Sequence, residues 1–175
     1  MSLQEKLDAF KADFESNKAP AAAIAAFHRS TRALIENGNA DRALKAGERV
    51  PEFTLPDADG HLISSTALLA KGPLVLTFYR GVWCPYCNLD LQALEDVADD
   101  IRSRGASLVA ISQQGASSSR KSQRTNKLSY PILTDQGGDL AERFGLRWTL
   151  QPYVIEFFKM FQVDLPKIHN DDKWT

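Results

Sequence analysis

Leu3, Leu7, Phe10 and Phe14 recur at intervals of four, three and four residues, which places one apolar stripe along a helix. Pro20 suits the first turn of a second helix, whose apolar side carries Ile24, Phe27, Thr31, Leu34 and Ile35. Asn37-Gly38 supplies a left-handed stop, and a short helical turn through Asp41 to Ala46 ends at Gly47. Residues 1–46 therefore read as a helical extension that packs or dimerises and carries no chemistry of its own. Beyond Gly47 the texture changes. The segment Val50 to Asp57 is extended and punctuated by Pro51 and Pro56, and Asp59-Gly60 turns it toward His61-Leu62-Ile63. Pro73 to Tyr79 is a continuous apolar run of the kind buried on both faces of a parallel sheet. Leu89, Leu91, Leu94, Val97, Ala98 and Ile101 then predict one long helix ending at Gly105. Ala106 to Ser112 predicts a second buried strand, Arg120 to Leu128 a helix, Tyr130 to Leu133 a strand, and Gly138 to Phe144 a short helix. Strands alternating with helices imply an α/β domain over 47–175 with a parallel core.

Composition narrows the function classes. The chain has 175 residues, 43% hydrophobic and 25% charged, the proportions of one soluble domain with an appendage. Lys plus Arg number 21 against 22 for Asp plus Glu, a net charge of -1 that predicts neither a nucleic-acid nor an anionic-membrane partner. The first residues are charged and contain no apolar signal region, so the expected address is the cytoplasm. Two cysteines exclude a multiply bridged secreted scaffold, and in a reducing compartment a cysteine pair serves catalysis or metal binding more often than architecture.

Those cysteines stand in Cys84-Pro85-Tyr86-Cys87, directly after the apolar strand and at the start of the long helix. A thiol there faces unpaired amide N–H groups and the positive end of the helix dipole. Both favour thiolate and can lower a cysteine pKa from about 8.5 to roughly 3.5–7.5. Pro85 fits the first helical turn, and Cys87 lies one turn from Cys84 on the same face. Arg80 brings positive charge close to the sulfur, and Trp83 is positioned as a lid on it. Half a zinc site would need two more ligands from His28, His61 and His169, which lack the required spacing, so no metal or cofactor is expected. Buried structural thiols remain a second reading of the pair, and a redox couple the leading one. Arg120, Lys121, Arg124 and Lys127 read as a solvated basic face. Tyr153, Phe157, Phe158 and Phe161 read as core or a dimer interface.

Three blocks resemble the alkyl hydroperoxide reductase/thiol-specific antioxidant (peroxiredoxin) family. They are Val50-Pro51 with Phe53-Thr54-Leu55-Pro56-Asp57, the stretch Phe78 to Cys87, and Val109 to Ser112 with Tyr130 to Asp135 and Leu140 to Gly145. The resemblance covers roughly residues 47–150, in the variant branch carrying two cysteines at the active-site turn. It implies a thioredoxin-like fold and an antioxidant enzyme that reduces a small hydroperoxide. Thiol electrons would come from a donor of the thioredoxin or glutathione type, and a homodimer is one use for the helical extension. The family pattern Pro-x-x-x-Thr/Ser-x-x-Cys places Arg80 at the proline, Cys84 at the threonine and Cys87 at the peroxide-attacking cysteine. The thioredoxin register instead makes Cys84 the nucleophile and Cys87 the resolver. Tyr86 completes the motif, and Cys-Pro-Tyr-Cys is also that of a glutaredoxin. The alternatives are a protein disulfide oxidoreductase and a non-catalytic redox-sensing or binding module. The family's final strands have no counterpart here, so the sheet is expected to end on an open edge.

Overall fold

In a computed structural model that describes residues 1–175, the apolar runs become a parallel sheet and the periodic stretches become helices around it. The strands are β1 (Thr54–Pro56), β2 (Leu62–Ser64), β3 (Leu74–Phe78), β4 (Ser107–Ser112) and β5 (Ile132–Thr134). The helices are α1 (Leu3–Asp13), α2 (Ala21–Glu36), α3 (Asn39–Arg42), α4 (Ser65–Leu69), α5 (Pro85–Asp96), α6 (Ala98–Ser103), α7 (Ala116–Asn126), α8 (Asp139–Arg143), α9 (Pro152–Met160) and α10 (Leu165–His169). β1 and β2 form an antiparallel hairpin, while β3, β4 and β5 form a parallel sheet in that order. The fold is thus the mixed α/β, thioredoxin-like architecture that the residue pattern implied. β5 is followed by helices alone, and β3 has a strand neighbour on one side only.

β4 sorts its side chains by the two-residue period of a strand. Leu108 and Ala110 join Tyr79, Leu91, Ala98, Tyr130 and Ile132 on one face of the sheet. Val109 and Ile111 join Phe53, Leu133 and Leu140 on the other. Burying a side chain such as Ile132, with no exposed surface, contributes roughly 1.5–3 kcal/mol, so these two layers hold the site strand in place. A third cluster gathers Leu150, Val154, Phe158 and Leu165 from the C-terminal segment, with Phe27 of α2 packed against it.

The predicted long helix over 89–105 is two helices. Val97 leaves helical geometry (φ -115°, ψ 7°), its N–H bonds Leu94 O three residues back, and its side chain is 43% exposed. Leu94, Ala98 and Ile101 keep their places against the core, so the periodicity survives a break it did not reveal. α7 begins four residues earlier than its charge pattern predicted, at Ala116, because Ser119 and Ser122 are buried polar residues within it.

The N-terminal helices lie on the domain. Ser2 and Glu5 close a reciprocal capping box at the start of α1, which then widens into a π-turn over Phe14–Lys18. Leu44 N donates to Phe144 O at 3.1 Å. Beside that bond, a side chain at Gly145 (φ +72°) would come within 1.9 Å of Arg42 O, so only glycine permits the approach.

Candidate active site

The strand delivers the chain to the site, and the loop after it is pinned from two sides. Gln114, fully buried just beyond β4, accepts a hydrogen bond from Val82 N at 2.8 Å through its Oε1. Its Nε2 faces Tyr79 Oη at 2.6 Å and the hydroxyls of Ser119 and Ser122 at 3.3 Å each. On the other side Asn88 Nδ2 donates to Val82 O at 3.1 Å, and Asn126 Nδ2 donates to Asn88 Oδ1 at 2.9 Å. A buried polar network satisfied at each member is rigid. Gly81 (φ +140°) allows the turn itself, since a Cβ there would lie 2.8 Å from Trp83 Nε1.

Cys84 is the N-cap of α5, extended in backbone (φ -93°, ψ 106°), with Pro85 at the first helical position. Its Sγ accepts Cys87 N at 3.3 Å and Arg80 Nη2 at 3.1 Å. These are the donors a thiolate requires. The Cys87 thiol, donating to the same sulfur, is the largest influence lowering the Cys84 pKa; burial opposes it, and the Arg80 charge and the Cys87 amide add to it. The result is about 6, against 9.0 for an unperturbed thiol. Cys87 is pushed the other way, first by giving its proton to the bond with Cys84, then by burial and by the neighbouring negative sulfur. One proton is therefore shared unequally, and the charge rests on Cys84. Both cysteines are unbridged; Cys84 has no exposed surface, and Cys87 is partly exposed.

The remaining predicted residues surround this pair. The Arg80 guanidinium lies over the Trp83 ring at 5.0 Å while its Nη2 reaches Cys84 Sγ. Trp83 packs edge-on against Phe158 of α9 at 5.0 Å. Tyr86 packs edge-on against Phe10 of α1 at 4.9 Å. Phe10, Phe14, Phe27 and Phe158 continue in contact, at 6.1 Å, 6.3 Å and 6.1 Å, closing an aromatic circuit from Tyr86 round to Trp83. The extension expected to carry no chemistry thus packs directly on Tyr86 of the motif. Phe157 and Phe161 pack against Phe27 within the chain. The basic face is partly engaged, with Arg120 bonded to Ala58 O and paired with Asp59 at 3.7 Å. Asp135, also missed, is buried and accepts Leu140 N at 3.0 Å and Ala141 N at 2.8 Å, which fixes the start of α8. Gln114 and Asn88 were legible only as polar residues flanking strong apolar runs. No group of three His, Cys, Asp or Glu side chains converges in a metal-binding cluster.

Comparison with known proteins bears on the family and the fold. Residues 46–162 match the AhpC/TSA family. Peroxiredoxin Q of wheat (Triticum aestivum) is 29% identical over 135 residues, which are 77% of this chain and 62% of the plant protein. Peroxiredoxin Bcp of Escherichia coli is 29% identical over 103 residues, 59% of this chain and 65% of that protein. The chain therefore spans slightly under two thirds of the length of each. The crystal structure of peroxidoxin BcpB from Mycobacterium tuberculosis superposes with a TM-score of 0.58 at 33% identity, covering 61% of this chain and 70% of the other. A match over residues 46–162, most of the sequence and including the strand, the turn and both cysteines, shows that the chain belongs to the AhpC/TSA family.

Proposed function

We propose that Cys84 and Cys87 are the dithiol couple of a thiol-dependent peroxidase of the peroxiredoxin class, and that Cys84 strikes first. The observation that carries the assignment is the cradle of Arg80 Nη2 and Cys87 N around Cys84 Sγ, because the thiolate and not the thiol is the nucleophile. The Cys84 thiolate attacks the distal oxygen of a hydroperoxide, the O–O bond breaks, and the alkoxide leaves as the alcohol after taking a proton. Cys84 is then a sulfenic acid. The Cys87 sulfur displaces its hydroxyl, the Cys87 proton leaves with that hydroxyl as water, and a Cys84–Cys87 disulfide remains. Two electrons from an external thiol donor, of the thioredoxin or glutathione type, restore both thiols. Gln114 and Asn88 position the loop and Arg80 holds the charge on the sulfur.

A second reading exchanges the two roles. Partial exposure of Cys87 favours it, as does the family register, which sets Cys87 at the peroxide-attacking position. Stoichiometric hydroperoxide added to Cys84→Ser and Cys87→Ser separates the two. The expected result is rapid reaction and a trappable sulfenic acid in Cys87→Ser, with Cys84→Ser inert. The reverse pattern assigns the first step to Cys87. Wild type reacting no faster than free cysteine would remove the peroxidase reading altogether. Insulin reduction under those conditions would then favour disulfide exchange, and inertness in both assays a binding or sensing module.

A further inference from the structure

The carboxyl ends of β3, β4 and β5 open onto a cavity of about 260 Å³. Phe78 and Ile111 form its floor, and Trp148, Leu150, Phe158 and Leu165, all C-terminal to α8, close over it. Arg80 and Trp83 belong to the same wall, so the cavity borders the residues that flank Cys84. His169, at the end of α10, also lines it. That histidine lies beyond residue 162, where the family match ends.

Besides Trp83 Nε1, one side chain of this wall is buried without a hydrogen-bond partner, His169. It is only 2% exposed, yet neither ring nitrogen has a hydrogen-bond partner in the protein. Buried polar side chains nearly always have one. The charged groups of the wall are already engaged. Arg147 donates to Gly137 O at 3.1 Å, lies 3.6 Å from Asp139 and pairs with Glu142. Arg80 serves Cys84, and Asp135 serves the amides of α8. Gln113 takes the Thr175 hydroxyl at 3.2 Å. Burial holds the imidazole below its ordinary pKa, so it is neutral, with one nitrogen donating and the other accepting. With those charges engaged, most of the remaining lining is apolar, and its unpartnered polar groups are the His169 ring and Trp83 Nε1. An apolar cavity of about 150 Å³ takes benzene, so this one has room for a ring with a short branch.

We propose that this cavity binds a small, uncharged molecule with an apolar, ring-sized body and a terminal O–H group, and that His169 recognises the O–H. A hydroperoxide and the alcohol it becomes share that chemistry. Use of the cavity in turnover rests on the peroxidase reading; binding itself does not.

Trp83 and Trp148 in the wall supply the signal. Their fluorescence is titrated with 2-phenylpropan-2-ol and with isopropylbenzene, which has the same body and no hydroxyl. The alcohol is expected to bind roughly tenfold more tightly, the value of one well-made hydrogen bond. In His169→Phe that advantage disappears. Leu165→Phe, which fills the space and keeps the histidine, is expected to abolish binding of both. Equal affinity for the two compounds in wild type, no saturable binding, or an undiminished advantage in His169→Phe each overturns the proposal. Turnover then distinguishes the two sources of the O–H. A raised KM for cumene hydroperoxide in His169→Phe, with hydrogen peroxide consumption unchanged, identifies the hydroperoxide as ligand. An unchanged KM with alcohol binding lost identifies the alcohol. Absence of any peroxidase activity, with the alcohol still bound, would refute the functional reading and leave the site standing.

Discussion

Replacing Arg80 by glutamine removes a cation whose Nη2 sits 3.1 Å from Cys84 Sγ, and keeps a side chain able to cover Trp83. Arg80 keeps solvent-exposed surface while its bond to Cys84 is part-buried, so a low-dielectric Coulomb value would exaggerate the effect. A hydrogen bond to a charged group, worth about 1.5–3 kcal/mol, is the better measure. At 1.36 kcal/mol per pKa unit, its loss raises the Cys84 midpoint by about one to two units. From about 6, the thiol would move to the region of pH 7–8, and the ionised fraction at neutral pH would fall from about nine tenths to roughly a quarter. The same change destabilises the reduced protein near neutrality by about 1.2 kcal/mol, so the disulfide becomes harder to reduce by about 25 mV. Ultraviolet absorbance of the thiolate across pH gives the midpoint, and equilibration with glutathione gives the potential. The midpoint is measured again in a Cys87→Ala background, where one sulfur titrates alone. The reasoning is refuted if Arg80→Gln leaves the midpoint where it was in both backgrounds. Arg80→Lys retains the charge without the planar fork and should fall between the two.

Three further outcomes follow from the same geometry. Gly81→Ala sets a Cβ 2.8 Å from Trp83 Nε1 at a φ of +140°; an unfolding free energy lowered by about 1–3 kcal/mol and a shifted tryptophan emission are expected, and an unchanged melt would contradict it. Phe10→Ala removes the ring that meets Tyr86 at 4.9 Å and should cost about 1–3 kcal/mol while raising the alkylation rate of Cys84, as read by peptide mapping. The reduced protein should be most stable to denaturant near pH 9. Between about 6 and 9 the unfolded chain keeps a proton on Cys84 that the native state has lost, so stability climbs by at most about 1.36 kcal/mol per pH unit. Above 9 the native state retains the Cys87 proton after the unfolded chain has released it, and stability declines. The Cys84→Ser/Cys87→Ser double variant should lack both limbs.

Apolar continuity carried most of what the sequence alone could tell. Leu74 to Phe78 and Ser107 to Ser112 are strands because their side chains are needed on both faces of one sheet, and a run without polar interruption announces that. The motif was legible for a related reason, since a strand end followed by Cys-Pro-x-Cys fixes Cys84 at a cap and Arg80 within reach of it. Polar burial was not legible. Gln114 and Ser119 look like surface residues until the fold folds them under Tyr79. Nor does periodicity name a partner. The stripe through Phe10 and Phe14 announces a face to be covered, and only three-dimensional contact shows that Tyr86 and Phe161 cover it. Val97 breaks its helix through backbone angles that leave the apolar spacing untouched.

Charge and access are divided between the two sulfurs, and the division bears on which chemistry the site performs. Cys84 holds the negative charge yet has no exposed surface. The aromatic residues on either side of it in sequence are each held from outside the motif, Trp83 by Phe158 and Tyr86 by Phe10. Exchange with a protein disulfide requires the attacking sulfur in line with an S–S bond on a second macromolecule, so a Cys84 without exposed surface would have to be opened widely. A hydroperoxide presents only a terminal oxygen and needs a much smaller opening than a macromolecular disulfide does. The partly exposed, protonated Cys87 then stands one helical turn away with the proton that the departing hydroxyl needs. Burial that would disable a disulfide exchanger therefore costs a peroxidase little, and it keeps the thiolate from reacting with larger electrophiles.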